Sequence, residues 1–355
     1  MKAQNRRIAI ISAAGMLMLI LDSKTALRGA VDGINLCISA LIPSMFPFFV
    51  LSILLTGALS GQTVKCLKPI GTICKMPKGS ESLIAVSMLG GYPVGAQNIS
   101  LLYQQGQLNT SQAVRLLAFC NNAGPAFIFG VLGTMFTNKS TPWLLWAVHL
   151  VSALFVGTLL PDSEGENGIR PQAYRIRFTD ALSRAVKIQV LVCGWVVFMR
   201  IVLAFMETWI LHFLPLSFQI ITSGFLELSN GCIRLSELEC EGLRFLIASA
   251  MLAFGGICVT LQTASAVNGI SMWMYFPGKI LQCCFSILLS CLLQWAFPAV
   301  SRCFSIAAVV IPVIIIISIL TFLHYSKIIV EFLNLLVYNR ININKEVSSC
   351  CFVKE

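Results

Sequence analysis

The sequence predicts an all-α protein that crosses a membrane several times, and three observations lead to this class. Of its 355 residues, 57% are hydrophobic and only 11% are charged, with a mean hydropathy of +0.83. Soluble domains carry about 25% charged residues. Several apolar runs reach the length of roughly 18 residues that marks a spanning helix. Since each span must satisfy its own backbone groups in lipid, we expect about eight spanning helices plus two re-entrant hairpins.

The predicted spans follow from the apolar runs, taken from the N-terminus. The first, Ile8 to Leu21, resembles the core of a signal peptide, but no small-x-small cleavage pattern follows it, so we expect it to stay attached. The second contains Pro43 and Pro47, which membrane helices tolerate where neighbours satisfy the freed carbonyls. In order, the eight spans cover about residues 8–21, 34–59, 113–135, 143–160, 188–213, 243–266, 280–297 and 306–322.

Two further segments are predicted to be hairpins rather than through-going helices. Between residues 82 and 103 the apolar pattern is interrupted by LGGYPVGAQN, and an apolar run that starts at residue 216 ends in ELSNG. Glycine and proline interrupt helices, so each segment predicts two half-helices that enter the membrane and return to the same side. The residues expected to break these hairpins and two of the spans are Gly90, Gly91, Pro93, Gly95, Gly124, Pro125, Gly231, Gly255 and Gly256.

The basic residues predict the orientation of these elements. Arg6 and Arg7 precede the first span, which places the N-terminus on the inner side. Eight spans then place the basic loops at 65–78 and 170–187, Lys279 and the C-terminal tail on that same side. In this layout the two hairpins enter from opposite faces, so the two halves form an inverted repeat.

The predicted organisation is a single transport domain over residues 1–323, followed by a cytoplasmic tail at 324–355. Its first repeat covers about residues 40–160 and its second about residues 188–299. Broken helices in corresponding positions of two inverted halves are the best sequence indication of a transport site.

Seven polar residues at these breaks are the candidate substrate-binding residues. A carboxylate at mid-depth costs roughly 2.5–3.5 kcal/mol, so Glu227 is either functional or lies in water at a hairpin mouth. The asparagine pair beside Gly124 and Pro125 could coordinate a polar substrate next to unwound backbone, or could join packed helices by hydrogen bonds. The hairpin residues could face a cavity or belong to a plain glycine-rich turn. The candidates are Gln97, Asn98, Asn121, Asn122, Glu227, Ser229 and Asn230.

Other function classes lack sequence support. The formal charge of +10 lies in connecting loops without interleaved aromatic residues, so no nucleic-acid partner is expected. The fourteen cysteines contain no CxxC motif and the three histidines are scattered, so no metal site is expected. No P-loop or nucleophile–base pair is visible, so we expect neither an enzyme nor a cofactor. The partners are then a small-molecule substrate and the lipid bilayer; the coupling ion (H⁺ or Na⁺) and a homo-oligomeric state stay open.

Several motifs of the chain resemble the YlbJ-like sporulation integral membrane proteins, which belong with the nucleoside-recognition gate domain superfamily. The resemblance rests on LGGYPVGAQNISLLYQQGQL and FCNNAGPAFIFG, with support from ALIPSMFPFFVLSILL, GFLELSNG and AFGGICVTLQ, and extends over about residues 8–325. The chain after Leu323 shows no such resemblance.

The resemblance implies a fold similar to that of concentrative nucleoside transporters and a multi-pass location in the cell membrane. It further implies transport of dipicolinic acid across the mother-cell-derived outer forespore membrane. A nucleoside or other small-molecule permease is one alternative, and a non-transporting membrane scaffold for spore cortex assembly is another. Because dipicolinate carries two carboxylates, Glu227 would have to be protonated or bridged to the substrate by a cation.

Overall fold

The structure is a computed structural model that describes residues 2–59, 62, 64–161 and 175–296, and every regular element in this part is helical. The last predicted span and the C-terminal tail lie outside these residues. The helices are α1 (Lys2–Leu21), α2 (Ser23–Leu36), α3 (Ile42–Leu59), α4 (Lys68–Ile73), α5 (Glu81–Gly90), α6 (Val94–Gln104), α7 (Thr110–Phe119), α8 (Pro125–Gly130), α9 (Thr141–Leu159), α10 (Phe178–Trp209), α11 (Leu216–Leu226), α12 (Leu228–Arg234), α13 (Glu241–Phe254), α14 (Gly256–Ala266) and α15 (Tyr275–Ala296).

Five helical stretches of the described chain are long and apolar enough to cross a membrane. They cover Ser23–Leu59, Thr141–Leu159, Phe178–Trp209, Glu241–Ala266 and Tyr275–Trp295. The protein is therefore a helical, polytopic membrane protein. The predicted span over 113–135 is divided, because α7 and α8 are separated by a non-helical stretch and a short 3₁₀ turn follows at Leu132–Met135.

The first long span is continuous, although it contains a π-helical turn and an internal proline. A π-helical turn at Cys37–Leu41 joins α2 to α3, and Pro47 lies inside α3. Proline removes one backbone donor and frees a carbonyl, and membrane helices tolerate this when their neighbours re-satisfy the freed group. The two helices thus form one apolar rod over Ser23–Leu59.

The helices fall into two sets with the same order. In each set a long helix is followed by two short helices, then by two helices flanking a non-helical break, then by another long helix. The first set runs α3, α5, α6, α7, α8, α9, with the six-residue α4 as an additional helix after α3, and the second runs α10 to α15. Contacts between the sets also occur in matching pairs. The contact of α9 with α13 corresponds to that of α15 with α7. The contact of α6 with α14 corresponds to that of α12 with the turn after α8. Each long helix also contacts its counterpart, α3 with α10 and α9 with α15.

Small residues bring α2 directly against the backbone of α10. A Cβ added at Gly33 would lie 2.9 Å from the Cα of Val197, and one added at Gly29 would lie 2.9 Å from the Cβ of Ala204. Small residues four positions apart allow membrane helices to approach this closely. The contact fixes the position of α10, which carries part of the pocket described below.

An ion-pair network closes the same interface. Arg200 of α10 donates to Asp32 of α2 at 3.0 Å and to Glu207 of its own helix at 2.8 Å. Charged side chains within spans usually face the bundle interior and pair with one another. Arg200 and Glu207 therefore have a structural role.

A buried arginine fixes the start of the asparagine-bearing segment. Arg115 of α7 is 1% exposed, and its guanidinium donates to the carbonyls of Cys74, Lys75, Gly157 and Pro161. These carbonyls lie at or beyond the C-terminal ends of α4 and α9, where helix carbonyls lack intrahelical partners and the helix dipole favours a cation. Arg115 thereby fixes α7 between two other helices.

Candidate functional site

The helix breaks lie next to one another within each half. A Cβ added at Gly91, between α5 and α6, would lie 2.9 Å from the backbone nitrogen of Gly124, between α7 and α8. A Cβ added at Gly256, at the break between α13 and α14, would lie 3.1 Å from the carbonyl oxygen of Gly224 in α11. Gly91 and Gly256 both have positive φ, of 74° and 84°, a backbone conformation that glycine adopts without steric cost.

Tyr92 connects the breaks of the first half to those of the second. Its hydroxyl donates to the carbonyl of Leu252 at 3.4 Å and would lie 3.0 Å from a Cβ added at Gly255, whose φ is also positive. Tyr92 follows Gly91 directly, so the segment between α5 and α6 contacts α13 through this side chain.

The remaining predicted break residues lie at or beside these interruptions. Gly90 ends α5, Pro93 precedes α6, and Pro125 begins α8. Gly95 and Gly231 differ from the prediction, because they lie inside α6 and α12. There the missing side chain permits contact with neighbouring backbone, at Cys120–Asn121 for Gly95 and at Gly224 for Gly231.

Asn121 lies in the break after α7 and is fully buried. Its Nδ2 donates to the hydroxyl of Thr263 in α14 at 2.8 Å, and its Oδ1 accepts from the backbone nitrogen of Ala96 in α6 at 3.3 Å. The side chain thus joins three helical segments from both halves of the protein.

Asn122 is buried beside it and uses both ends of its amide. Nδ2 donates to the carbonyl of Phe119 at 2.7 Å, while Oδ1 accepts from Lys279 Nζ at 3.2 Å and from Gln282 Nε2 at 3.1 Å. These bonds fit the interhelical hydrogen-bond alternative. Both asparagine side chains are thus already hydrogen-bonded within the protein.

The predicted span over about 280–297 begins too late, because Lys279 lies within the helix rather than before it. The residue lies one turn inside α15, which begins at Tyr275, and is 1% exposed. Its ammonium donates to the backbone oxygen of Asn121 and to Gln282 Oε1 at 2.8 Å, in addition to Asn122. The positive-inside rule cannot separate such a lysine from one in a loop, because it counts only proximity to a span end.

The sequence of α15 contains a polar stripe that indicates the burial of Lys279. Gln282, Ser286 and Ser290 follow Lys279 at helical spacing and are 0% exposed. Ser286 donates to the carbonyl of Ser249 in α13 at 2.9 Å, and the hydroxyls of Ser249 and Ser290 are 2.7 Å apart. Buried polar groups at regular spacing indicate that this face packs against other helices rather than lipid.

Glu227 caps the short helix α12. Its Oε1 accepts from the backbone nitrogen of Ser229 at 3.1 Å, and its Oε2 accepts from the backbone nitrogen and the Nδ2 of Asn230 at 2.8 and 2.7 Å. The residue is 1% exposed, so it does not lie in water at a hairpin mouth. A carboxylate at a helix N-terminus satisfies orphan donors and interacts favourably with the helix dipole.

A cavity of about 400 Å³ lies between α3, α6, α10 and the end of α14. Gln97 and Asn98 line it from α6, Thr56 from α3, and Arg184 and Lys187 from α10. The two basic residues are three positions apart, so they lie on the same face of α10. Among the described residues that line it there is no carboxylate, so this part of the pocket is suited to an anion.

The structure therefore divides the predicted site among three places. Gln97 and Asn98 line the pocket. The asparagine pair forms a buried network behind it, connected through the backbone of Ala96. The hydrogen bonds of Glu227 stay within its own turn, with Ser229 and Asn230. Sequence analysis did not identify Arg184, Lys187 or Lys279 as site residues, because loop and span-end charges are abundant in membrane proteins.

A 128-residue stretch of the chain is 34% identical to the sporulation integral membrane protein YlbJ of Bacillus subtilis (strain 168). This part of the chain is YlbJ-like. The match covers 35% of the chain but only 31% of that relative's length. No protein-family model matches the sequence, and no solved structure matches it. The recognition from motifs is thus confirmed over about a third of the chain, while the similarity to concentrative nucleoside transporters stays a prediction.

Proposed function

We propose that the protein is a membrane carrier of a small organic anion, with dipicolinate as the leading candidate substrate. The observation that carries this proposal is the pocket between α6 and α10, whose described lining contains two cations and two side-chain amides and no carboxylate. Its volume of about 400 Å³ lies within the range of roughly 300–1,000 Å³ typical of small-molecule sites.

The chemistry of the pocket matches a flat dicarboxylate. A guanidinium binds a carboxylate through two parallel hydrogen bonds, and an ammonium adds a compact charge, so Arg184 and Lys187 can each take one carboxylate. The amides of Gln97 and Asn98 can donate further bonds to the substrate from α6. A neutral nucleoside would offer no negative charge to either cation.

The arrangement of the helix breaks supports transport rather than a passive scaffold. We propose that α5–α6 and α11–α12 are the two re-entrant hairpins, and that α7–α8 and α13–α14 are broken spans. With the candidate spans and the predicted spans near both ends of the chain, this gives the eight-span inverted repeat. The matching contacts between the two sets of helices support it, and transporters bind substrates where such breaks meet.

The YlbJ-like stretch supports a role in sporulation, and we propose the outer forespore membrane as the location. Under the predicted orientation the basic end of α10 faces the cytoplasm. The pocket would then receive its substrate from the mother-cell side.

Uptake of labelled dipicolinate into liposomes that contain the purified protein tests this proposal. Arg184→Gln and Lys187→Gln should each weaken the apparent affinity by about tenfold or more, because a hydrogen bond to a charged group contributes about 1.5–3 kcal/mol. Lys68→Gln is the matched control, since Lys68 is an exposed lysine of α4 that does not line the pocket.

Two results would overturn the substrate assignment. If a nucleoside enters the liposomes and dipicolinate does not, the permease alternative replaces it. If neither compound enters, and the pocket variants still support spore formation, the scaffold alternative replaces it.

A further inference from the structure

The ammonium of Lys279 occupies a coordination site built from neutral oxygens. Its partners are the backbone oxygen of Asn121, Oδ1 of Asn122 at 3.2 Å and Oε1 of Gln282 at 2.8 Å. An ammonium has three donors, so each finds one acceptor. Among the described residues, no ion pair joins this ammonium to a carboxylate.

Two aromatic rings complete the enclosure. Nζ lies 5.3 Å from the ring centroid of Tyr92 and 5.7 Å from that of Tyr275. The negative faces of such rings attract compact cations of any kind. Because Lys279 is 1% exposed, the site holds its positive charge away from water.

The oxygens come from the place where the two halves meet. The carbonyl of Asn121 is free of a helical partner because α7 ends at Phe119, and Gln282 belongs to α15 of the second half. Unwound carbonyls beside side-chain oxygens are the ligands with which transporters hold their coupling cations. The same ligands would therefore accept a monovalent metal ion as readily as an ammonium.

We propose that Lys279 is a built-in substitute for a bound monovalent cation. A free cation takes its place when the side chain is shortened, because the oxygens remain and the net charge of the site is unchanged. The distances from Nζ to Asn122 Oδ1 and Gln282 Oε1 are those of ordinary hydrogen bonds, which are longer than sodium–oxygen bonds, so ammonium and potassium fit best. The site itself is independent of the proposed function. If the protein is a carrier as proposed, the bound ammonium implies that transport needs no added sodium, and this consequence rests on the proposed function.

Thermal unfolding of the purified full chain in detergent tests this inference. The chain is melted in chloride salts of potassium, ammonium, sodium or N-methylglucamine at one ionic strength. The wild type should melt at the same temperature in all four salts. Lys279→Ala should melt at a lower temperature in N-methylglucamine and recover in a saturable manner as potassium or ammonium rises. Lys279→Met fills the space without a charge, so it should melt lower and respond to none of the salts.

Ser290→Ala is the matched control, because it removes a buried polar contact on the same stripe of α15 without touching the ammonium. It should be insensitive to the cation. The inference is overturned if no cation raises the melting temperature of Lys279→Ala, or if that variant folds in none of the salts while Lys279→Met does. It is also overturned if the wild type shows saturable stabilisation by one of the cations. None of these measurements involves a substrate, so they stand apart from a failure of dipicolinate uptake.

Discussion

Leucine substitutions at Asn122 and Asn98 should have different effects, although the sequence predicts that both residues belong to one site. Asn122→Leu removes an acceptor from the Lys279 ammonium and from Gln282, and it removes the donor to the carbonyl of Phe119. Among the described residues, Asn98 makes one long bond, 3.5 Å to the hydroxyl of Thr56, and it is half-buried at the pocket wall. The first change should therefore act on stability and the second on transport.

The magnitudes follow from the partners that are lost. Interhelical hydrogen bonds between neutral groups in a membrane contribute about 0.6 kcal/mol on average. Removing the acceptor of a charged donor costs about 1.5–3 kcal/mol. Asn122→Leu should thus lower the free energy of unfolding by about 3–4 kcal/mol. Asn98→Leu should lower it by less than about 0.5 kcal/mol, as surface changes do.

Reversible unfolding in detergent mixtures would measure the free energy, and uptake into liposomes would measure transport at equal amounts of folded protein. The expected result is a destabilised Asn122→Leu and a stable Asn98→Leu with reduced uptake. An Asn122→Leu variant of wild-type stability without uptake would refute the packing role of Asn122. A fully active Asn98→Leu would remove that residue from the pocket.

Three further predictions concern packing, capping and topology. Gly33→Leu should destabilise the protein by about 1–3 kcal/mol, because its side chain would meet the backbone of α10. A Cβ added at Gly194 would have no atom within 4 Å, so Gly194→Leu should leave the stability unchanged in the same measurement. Glu227→Gln should lower the free energy of unfolding by about 1–2 kcal/mol, since the NH₂ group of the glutamine would face backbone donors of α12. An unchanged midpoint of unfolding in denaturant would contradict the capping role. Cysteines introduced as Lys68→Cys and Arg184→Cys in a cysteine-depleted background should react with an impermeant thiol reagent from the same, cytoplasmic side, and reaction from opposite sides would contradict the orientation.

Local chemistry made the helix breaks predictable. Gly91 and Gly255 have positive φ, which glycine alone adopts without cost, and Pro125 begins a helix because its missing donor matters least there. The sequence also contains the pattern that predicts the N-cap of α12. Glu227 and Asn230 are three positions apart, the spacing at which an N-cap side chain meets the third residue of the helix.

The grouping of polar residues was not predictable, because it depends on which helices pack together. The backbone of Ala96 bonds to Asn121, yet the next two residues of α6 face α10 across the pocket. Lys279 finds its acceptor Asn122 157 positions earlier in the chain. No window of local hydropathy contains both partners, so the sequence alone placed that lysine before the span rather than in its buried face.

The approach of Gly91 to Gly124 has a consequence for comparing related sequences. A Cβ added at either glycine would lie 2.9 Å from the backbone of the other, so each residue sets the condition under which the other is tolerated. A larger side chain at position 91 would separate the two breaks and remove the reason for a glycine at position 124, whereas Gly91 is also required by its positive φ. Descendants of a common ancestor that lose Gly91 should therefore be free to lose Gly124, and this one-way dependence would reveal the contact even where overall identity has decayed.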